Sequence, residues 1–170
     1  MSKTSKNKMT KDTIPKGFTV SMALVDMLPV LFFGLSAIRV GQLFHSAIFV
    51  LGALVCLVSG VIKVLWKLIA ARSGCNIWPM FVQMRIAMPI GFLLLLAALA
   101  IDRANLNGAA ILAGLCGVPS CIFFALGLIG MVLMGVFAAR MDSSDPKVNW
   151  MEQGINGCAQ LCILIGLLLV

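Results

Sequence analysis

The residues best able to do chemistry in this chain are ionisable and amide side chains placed inside long apolar runs. Asp26 lies about eight residues into the first run, three residues before Pro29. A carboxylate at that depth in a bilayer costs about 2.5–3.5 kcal/mol on insertion scales, so it should face protein or water and have a partner. The position indicates proton or cation coupling, contact with a substrate, or a structural ion pair beside a kinked helix.

A second polar group lies at the start of the last apolar run. At about 100° per residue in an α-helix, four amide side chains fall on one face beside Glu152: Asn149, Gln153, Asn156 and Gln160. Such a face either lines a polar cavity in the inner half of the membrane or forms hydrogen bonds between helices.

Two basic residues, Lys63 and Arg85, fall at a depth similar to that of the acidic residues. Their long side chains can snorkel to the interface, or they can neutralise the acids inside the protein. The candidate pairs are Arg85 with Asp26 and Lys63 with Glu152. Arg85 is the first expected partner of Asp26, and Lys63 is the next. The candidate set for binding a solute or ion is therefore Asp26, Lys63, Arg85, Glu152, Gln153, Asn156 and Gln160.

Motifs of established enzyme chemistry are missing from the sequence. The six cysteines contain no C-x-x-C pair, and the single histidine, His45, falls at the outer start of the second run. A zinc site of ordinary Cys/His composition is therefore not expected. Nor does the chain carry a phosphate-binding loop, a nucleophile elbow or an H-E-x-x-H motif. The sequence predicts a protein that is not an enzyme and needs no cofactor or metal.

The elements that must position these residues are membrane-spanning helices. The mean hydropathy is +1.08, and 61% of residues are hydrophobic against 11% charged, which exceeds what a soluble domain of this size can bury. The apolar runs are continuous rather than alternating, which excludes a β-barrel. We predict an all-α, polytopic integral membrane bundle of about five transmembrane helices, forming one domain over residues 18–170, with spans at 18–38, 44–70, 78–101, 109–139 and 150–170. The fifth span is the most polar, so a half-span is an alternative for it.

The distribution of charge predicts orientation. Eleven of the thirteen Lys and Arg residues fall in the N-terminal tail or at the ends of runs on the same side, and only Arg39 and Arg103 fall on the other. The positive-inside rule then places the N-terminus in the cytoplasm and the C-terminus outside, in what we expect to be a bacterial cytoplasmic membrane. Residues 1–17 are expected to be a disordered basic tail. The net charge of +7 indicates contact with anionic lipid rather than nucleic acid.

Small residues at i+4 spacing predict close contacts between helices in three runs. The series are Gly52, Cys56 and Gly60; Ala109, Ala113, Gly117, Cys121 and Ala125; and Gly154, Cys158, Cys162 and Gly166. These faces serve packing within the bundle or a seam with a second copy or another membrane protein. Prolines inside three runs predict kinks, hinges or an exposed carbonyl.

Two functions fit the sequence. The first is a small transporter, or a subunit of a transport complex, with a polar cavity in the inner half for a small solute or ion. Asp26 and the amide face of the last run favour it. The alternative is a non-catalytic interaction, assembly or immunity-type subunit that docks a partner membrane protein through its small-residue faces. The lack of soluble domains favours this second function.

Overall fold

The computed structural model describes residues 18–106, 108–140 and 146–170, and the predicted tail at 1–17 lies outside this part of the chain. The described residues contain no strand and form six α-helices: α1 (Val20–Leu43), α2 (Ala47–Ser73), α3 (Trp78–Ile101), α4 (Gly108–Cys116), α5 (Ser120–Arg140) and α6 (Pro146–Leu168). All except α4 are long and apolar enough to cross a bilayer. The prediction of an all-helical bundle with about five spanning helices is confirmed.

Local sequence signals set the ends of the first helices. The hydroxyl of Thr19 accepts a hydrogen bond from the Met22 amide at 3.2 Å and caps α1, while Ser46 caps α2 by accepting from the Phe49 amide at 3.1 Å. Gly74 ends α2 in the left-handed conformation, with φ of 63°, which glycine adopts without strain. Pro79 occupies the first turn of α3, where its missing amide proton is not needed.

The helices follow one another in space in the order α3, α2, α1, α6 and α5, and α4 packs on α5. The starts of α1, α3 and α6 share one end of the bundle with the ends of α2 and α5. We call this the basal end and the opposite one the apical end. At the apical end, Ser46 donates to an Asp102 carboxylate oxygen, and Asn105 donates to the His45 carbonyl oxygen at 3.1 Å. These contacts join the α1–α2 turn to the segment after α3.

Helix α2 packs closely on both of its neighbours through small residues, as its i+4 series predicts. A Cβ atom added at Gly52 would lie 2.9 Å from the Gly91 carbonyl oxygen of α3, and one added at Gly60 would lie 3.0 Å from Val30 of α1. Cys56 is buried between these positions. Helix α2 is therefore fixed on both sides, which sets the rotation of the face that carries Lys63 and Lys67.

The fourth predicted span, 109–139, is two helices rather than one. The chain leaves α-helical geometry between α4 and α5, at residues 117–119. Proline lacks the amide proton and disfavours helical geometry in the residue before it, so Pro119 with Val118 interrupts the helix. Ser120 stabilises the junction by directing its hydroxyl at the carbonyl oxygens of Gly114 and Gly117. The predicted series from Ala109 to Ala125 therefore does not form one continuous face.

Contact between α5 and α6 uses different small residues from those predicted. A Cβ atom added at Gly130 would lie 2.6 Å from the Ala159 Cβ atom, and one added at Gly127 would lie 2.6 Å from Ile163. Of the two glycines in the predicted series on α6, Gly166 meets a neighbouring helix closely, at Phe124, whereas nothing lies within 4 Å of a Cβ atom added at Gly154. The reason is that polar side chains of α6 take the protein-facing side instead.

Candidate functional site

The most unusual feature of the bundle is a pair of opposite charges buried between α1 and α2. Asp26 lies in the second turn of α1 and is 4% exposed, while Lys67 on α2 is 3% exposed. Lys67 Nζ lies 2.8 Å from Asp26 Oδ2, and Lys63 Nζ, one turn earlier on α2, lies 3.8 Å from the same oxygen. Because an isolated charge is costly inside a membrane, this pairing explains how Asp26 is accommodated.

Helix α6 completes the surroundings of Lys67 with two amide side chains. Lys67 Nζ donates to Asn149 Oδ1 at 3.1 Å. With the Gln153 amide oxygen turned towards Lys67, that oxygen accepts from Nζ at 2.9 Å, and the amide nitrogen donates to the Met22 carbonyl oxygen at 3.0 Å. The ammonium group thus lies among oxygen atoms from α1 and α6, and we call these four residues, Asp26, Lys67, Asn149 and Gln153, the charged cluster.

Aromatic residues cover the basal side of the charged cluster. The Phe18 ring lies 5.7 Å from Lys67 Nζ and packs edge-on against Trp66. Trp66 is 1% exposed and donates from its indole nitrogen to Asn76 Oδ1 at 3.0 Å. The Phe81 ring of α3 packs on the other side of Trp66, with ring centroids 5.0 Å apart. This apolar layer separates Lys67 from the basal surface and strengthens its electrostatic interactions.

Three of the predicted site residues meet at the charged cluster or beside it: Asp26, Lys63 and Gln153. Lys67 and Asn149 belong to it as well but were not in the predicted set. The sequence signal for Lys67 is its i+4 spacing from Lys63, which places both side chains on one face of α2. Asn149 carries the same signal on α6, four residues before Gln153.

Arg85 does not pair with Asp26, which corrects the expected pairing. Arg85 is an exposed residue of α3, and its guanidinium carbon lies 5.0 Å from the centroid of the Phe81 ring. Helix α3 packs on α2, on the side away from α6. The partner of Asp26 comes from α2 instead, because α2 is the helix that packs directly on α1 at this level.

The remaining predicted residues lie along α6 outside the charged cluster. Glu152 and Asn156 are half-buried. Gln160 points towards α5 and donates to the sulfur atom of Met131 at 3.6 Å. The amide face of α6 therefore divides among three neighbours, since its basal part contacts α1 and α2 while Gln160 contacts α5.

A cavity of about 580 Å³ lies at the apical end of the same helices. It is bordered by the last residues of α1, the α4–α5 junction and the residues after α6, namely 42–43, 111, 113–114, 117–120 and 169–170. Arg39 of α1 donates to the Leu167 carbonyl oxygen at 3.4 Å and joins α1 to α6 at this level. Helices α1 and α6 therefore join a closely packed basal half to an apical half that contains a cavity.

Redox and metal chemistry find no support in the described residues. All six cysteines are free thiols. No cluster of three His, Cys, Asp or Glu side chains able to hold a metal ion occurs within residues 18–106, 108–140 and 146–170.

Comparison with known proteins gives no relative: no protein-family model, curated protein or solved structure matches the chain. Fold and site together define an integral membrane protein built as a helical bundle, with an ion pair buried in one half of its spanning region. Beyond this class, function must be inferred from the charged cluster and the cavity.

Proposed function

We propose that the protein is a membrane transporter, or the transport subunit of a complex, for a small solute or ion, and that the charged cluster closes its basal half. The observation that carries this proposal is the burial of Asp26 and Lys67 at the meeting point of α1, α2 and α6. A buried ion pair adds little net stability compared with apolar residues of the same size. Ionisable side chains inside membrane helices commonly mark solute or proton pathways.

The chemistry of the charged cluster suits a closure that opens. Its members are held together by polar contacts, namely those of Lys67 with Asp26, Asn149 and Gln153. Water or a polar solute can form hydrogen bonds in place of each of these contacts. The contacts of a closure made only of apolar side chains could not be replaced in this way.

A test of this closure does not require the transported solute. Ala23 is 1% exposed on α1 near Asp26, and Ala98 is 0% exposed on α3 away from the charged cluster. In a background with the six native cysteines replaced, Ala23→Cys and Ala98→Cys are exposed to a membrane-impermeant thiol reagent. If the closure opens, Ala23→Cys reacts slowly while Ala98→Cys stays unreacted. Equal protection of both positions would show that the charged cluster is a fixed structural element.

The position of α3 and α5 favours a second candidate function, an interaction or assembly subunit. These helices lie at the two ends of the row of spanning helices α3, α2, α1, α6 and α5. Only 11% of the apolar 18-residue stretch of each is buried, compared with 33% of the corresponding stretch of α2. Either edge helix presents a free side to lipid or to a neighbouring membrane protein. Two results together would support this function over transport. The protein would purify in mild detergent with a stoichiometric membrane partner, and Ala23→Cys would not react with the impermeant thiol reagent.

A further inference from the structure

We propose that the apical cavity binds an uncharged, mainly apolar molecule that carries one hydrogen-bonding group. The cavity volume of about 580 Å³ lies within the range of sites that hold small organic ligands. The inference concerns binding alone and does not require that the bound molecule be transported.

The lining selects against charged ligands. None of the side chains around the cavity is charged, and only Gln42 and Ser120 carry polar side chains. An ion inside this lining would lose its hydration and find no side chain of opposite charge in return, although backbone groups contribute some polar surface. The lining therefore suits hydrocarbon groups, which make up most of the surface of lipid-soluble molecules.

The two polar side chains differ in their availability to a ligand. Ser120 is 3% exposed, and its hydroxyl is already directed at the carbonyl oxygens of Gly114 and Gly117. Gln42 is exposed at the end of α1, and its amide makes no hydrogen bond to another residue in the described part of the chain. Gln42 is thus the group that would hydrogen-bond to the polar end of a ligand.

The break between α4 and α5 forms one border of the cavity. A straight helix over residues 109–139 would be about 46 Å long at 1.5 Å per residue, longer than a bilayer core of about 30 Å. Instead the chain leaves α-helical geometry at residues 117–119, and Val118 in this break lines the cavity and is 79% exposed. Because the stretch from Ser120 to Phe137 is by itself long enough to span, residues 117–119 fall towards the apical end, where they border the cavity.

Photolabelling of the purified full-length protein with a long-chain alcohol carrying a diazirine tests the proposal. We expect crosslinks to concentrate in peptides that contain residues 111–120, and excess unlabelled alcohol to remove them. Ala113→Phe places a ring in the cavity and should reduce labelling by about tenfold. A modest loss of binding free energy is enough to produce this factor. Ala109→Phe, an equal change on the same helix outside the lining, should leave labelling unchanged.

A second variant keeps the test independent of any effect of Ala113→Phe on folding. Gln42→Leu should weaken labelling by the alcohol but not by the corresponding diazirine alkane, because only the alcohol uses the amide. Competition by phosphatidylethanolamine would identify the natural ligand as a membrane lipid chain, and competition by the alcohol alone would identify a smaller lipid-soluble molecule. Labelling that is spread evenly over all lipid-facing helices, or is insensitive to both Ala113→Phe and Gln42→Leu, would overturn the proposal. Asp26→Asn should leave labelling intact, so failure of transport and failure of binding are separate results.

Discussion

Lys67 Nζ lies 2.8 Å from Asp26 Oδ2, and only 4% and 5% of the respective side chains are exposed. The two charges come from neighbouring helices, and α6 adds hydrogen-bond acceptors from Asn149 and Gln153. Removal of either charge leaves the other buried among groups arranged for a pair. The energetic coupling between Asp26 and Lys67 can therefore be measured by mutation.

A double-mutant cycle should show strong coupling between Asp26 and Lys67. Lys67→Gln leaves the carboxylate with Lys63 alone, 3.8 Å from Asp26 Oδ2, and should lower the free energy of unfolding in detergent by up to about 3–5 kcal/mol, the cost of an unpaired buried charge. Adding Asp26→Asn should restore much of the loss, because both residues are then neutral. Denaturation of the four proteins in mixed micelles, followed by circular dichroism, measures the coupling.

The matched control for this cycle combines Asp26→Asn with Arg85→Gln. Arg85 lies on α3 and contacts the Phe81 ring, so its effect should simply add to that of Asp26→Asn. Additivity in the Lys67 cycle and coupling in the Arg85 cycle would mean that the carboxylate has a different partner in the membrane.

The sequence predicts burial of Asp26 but not its partner. Burial follows from the cost of charge in hydrocarbon, which holds for any packing of the helices. The partner depends on the rotation of α2, which the contacts of Gly52 and Gly60 with neighbouring helices determine. Lys63, Lys67 and Arg85 all fall close enough to the basal end to snorkel, so sequence spacing alone cannot rank them.

Two other features escape prediction from sequence for similar reasons. Whether Pro119 kinks or breaks a helix depends on which groups donate hydrogen bonds to the carbonyl oxygens near the proline. Here the Ser120 hydroxyl is directed at those of Gly114 and Gly117. On α6, small-residue spacing and polar-residue spacing predict opposite packing faces. The polar face prevails at the basal end because exposing Asn149 and Gln153 to lipid costs more than exposing glycine or cysteine.

Substitution of glycine by alanine in α5 should have opposite effects at two positions. At Gly130 the added methyl group would lie 2.6 Å from the Ala159 Cβ atom, whereas at Gly135 nothing lies within 4 Å. Gly130→Ala should therefore destabilise the protein by about 1–3 kcal/mol through overpacking. Gly135→Ala should be neutral or stabilise it by up to about 1 kcal/mol, since alanine favours helix. Thermal unfolding in detergent compares the two variants, and equal shifts would contradict the α5–α6 contact.

Single cysteines should report the orientation of the bundle. Cys75 is exposed in the turn between α2 and α3 at the basal end, and Ala104 is exposed in the segment after α3 at the apical end. The positive-inside rule predicts that the basal end faces the cytoplasm. In intact cells, an impermeant maleimide should then label Ala104→Cys but not a protein that retains only Cys75. After permeabilisation both should be labelled, and the reverse pattern in intact cells would invert the topology.

Loss of the Asp26 carboxylate should abolish coupled transport while the bundle remains folded. The reason is that Asp26→Asn removes the carboxylate that pairs with Lys67, so a solute can no longer open the closure by exchanging with that ion pair. Liposomes that contain the purified protein, an internal pH dye and an imposed membrane potential allow flux to be measured over a panel of small cations, amino acids and sugars. Asp102→Asn is the matched control, because its carboxylate contacts Ser46 at the apical end. We expect flux from the wild type and from Asp102→Asn above that of empty liposomes, and background flux from Asp26→Asn. Flux that is unchanged in Asp26→Asn would exclude the charged cluster from transport and leave it a structural ion pair.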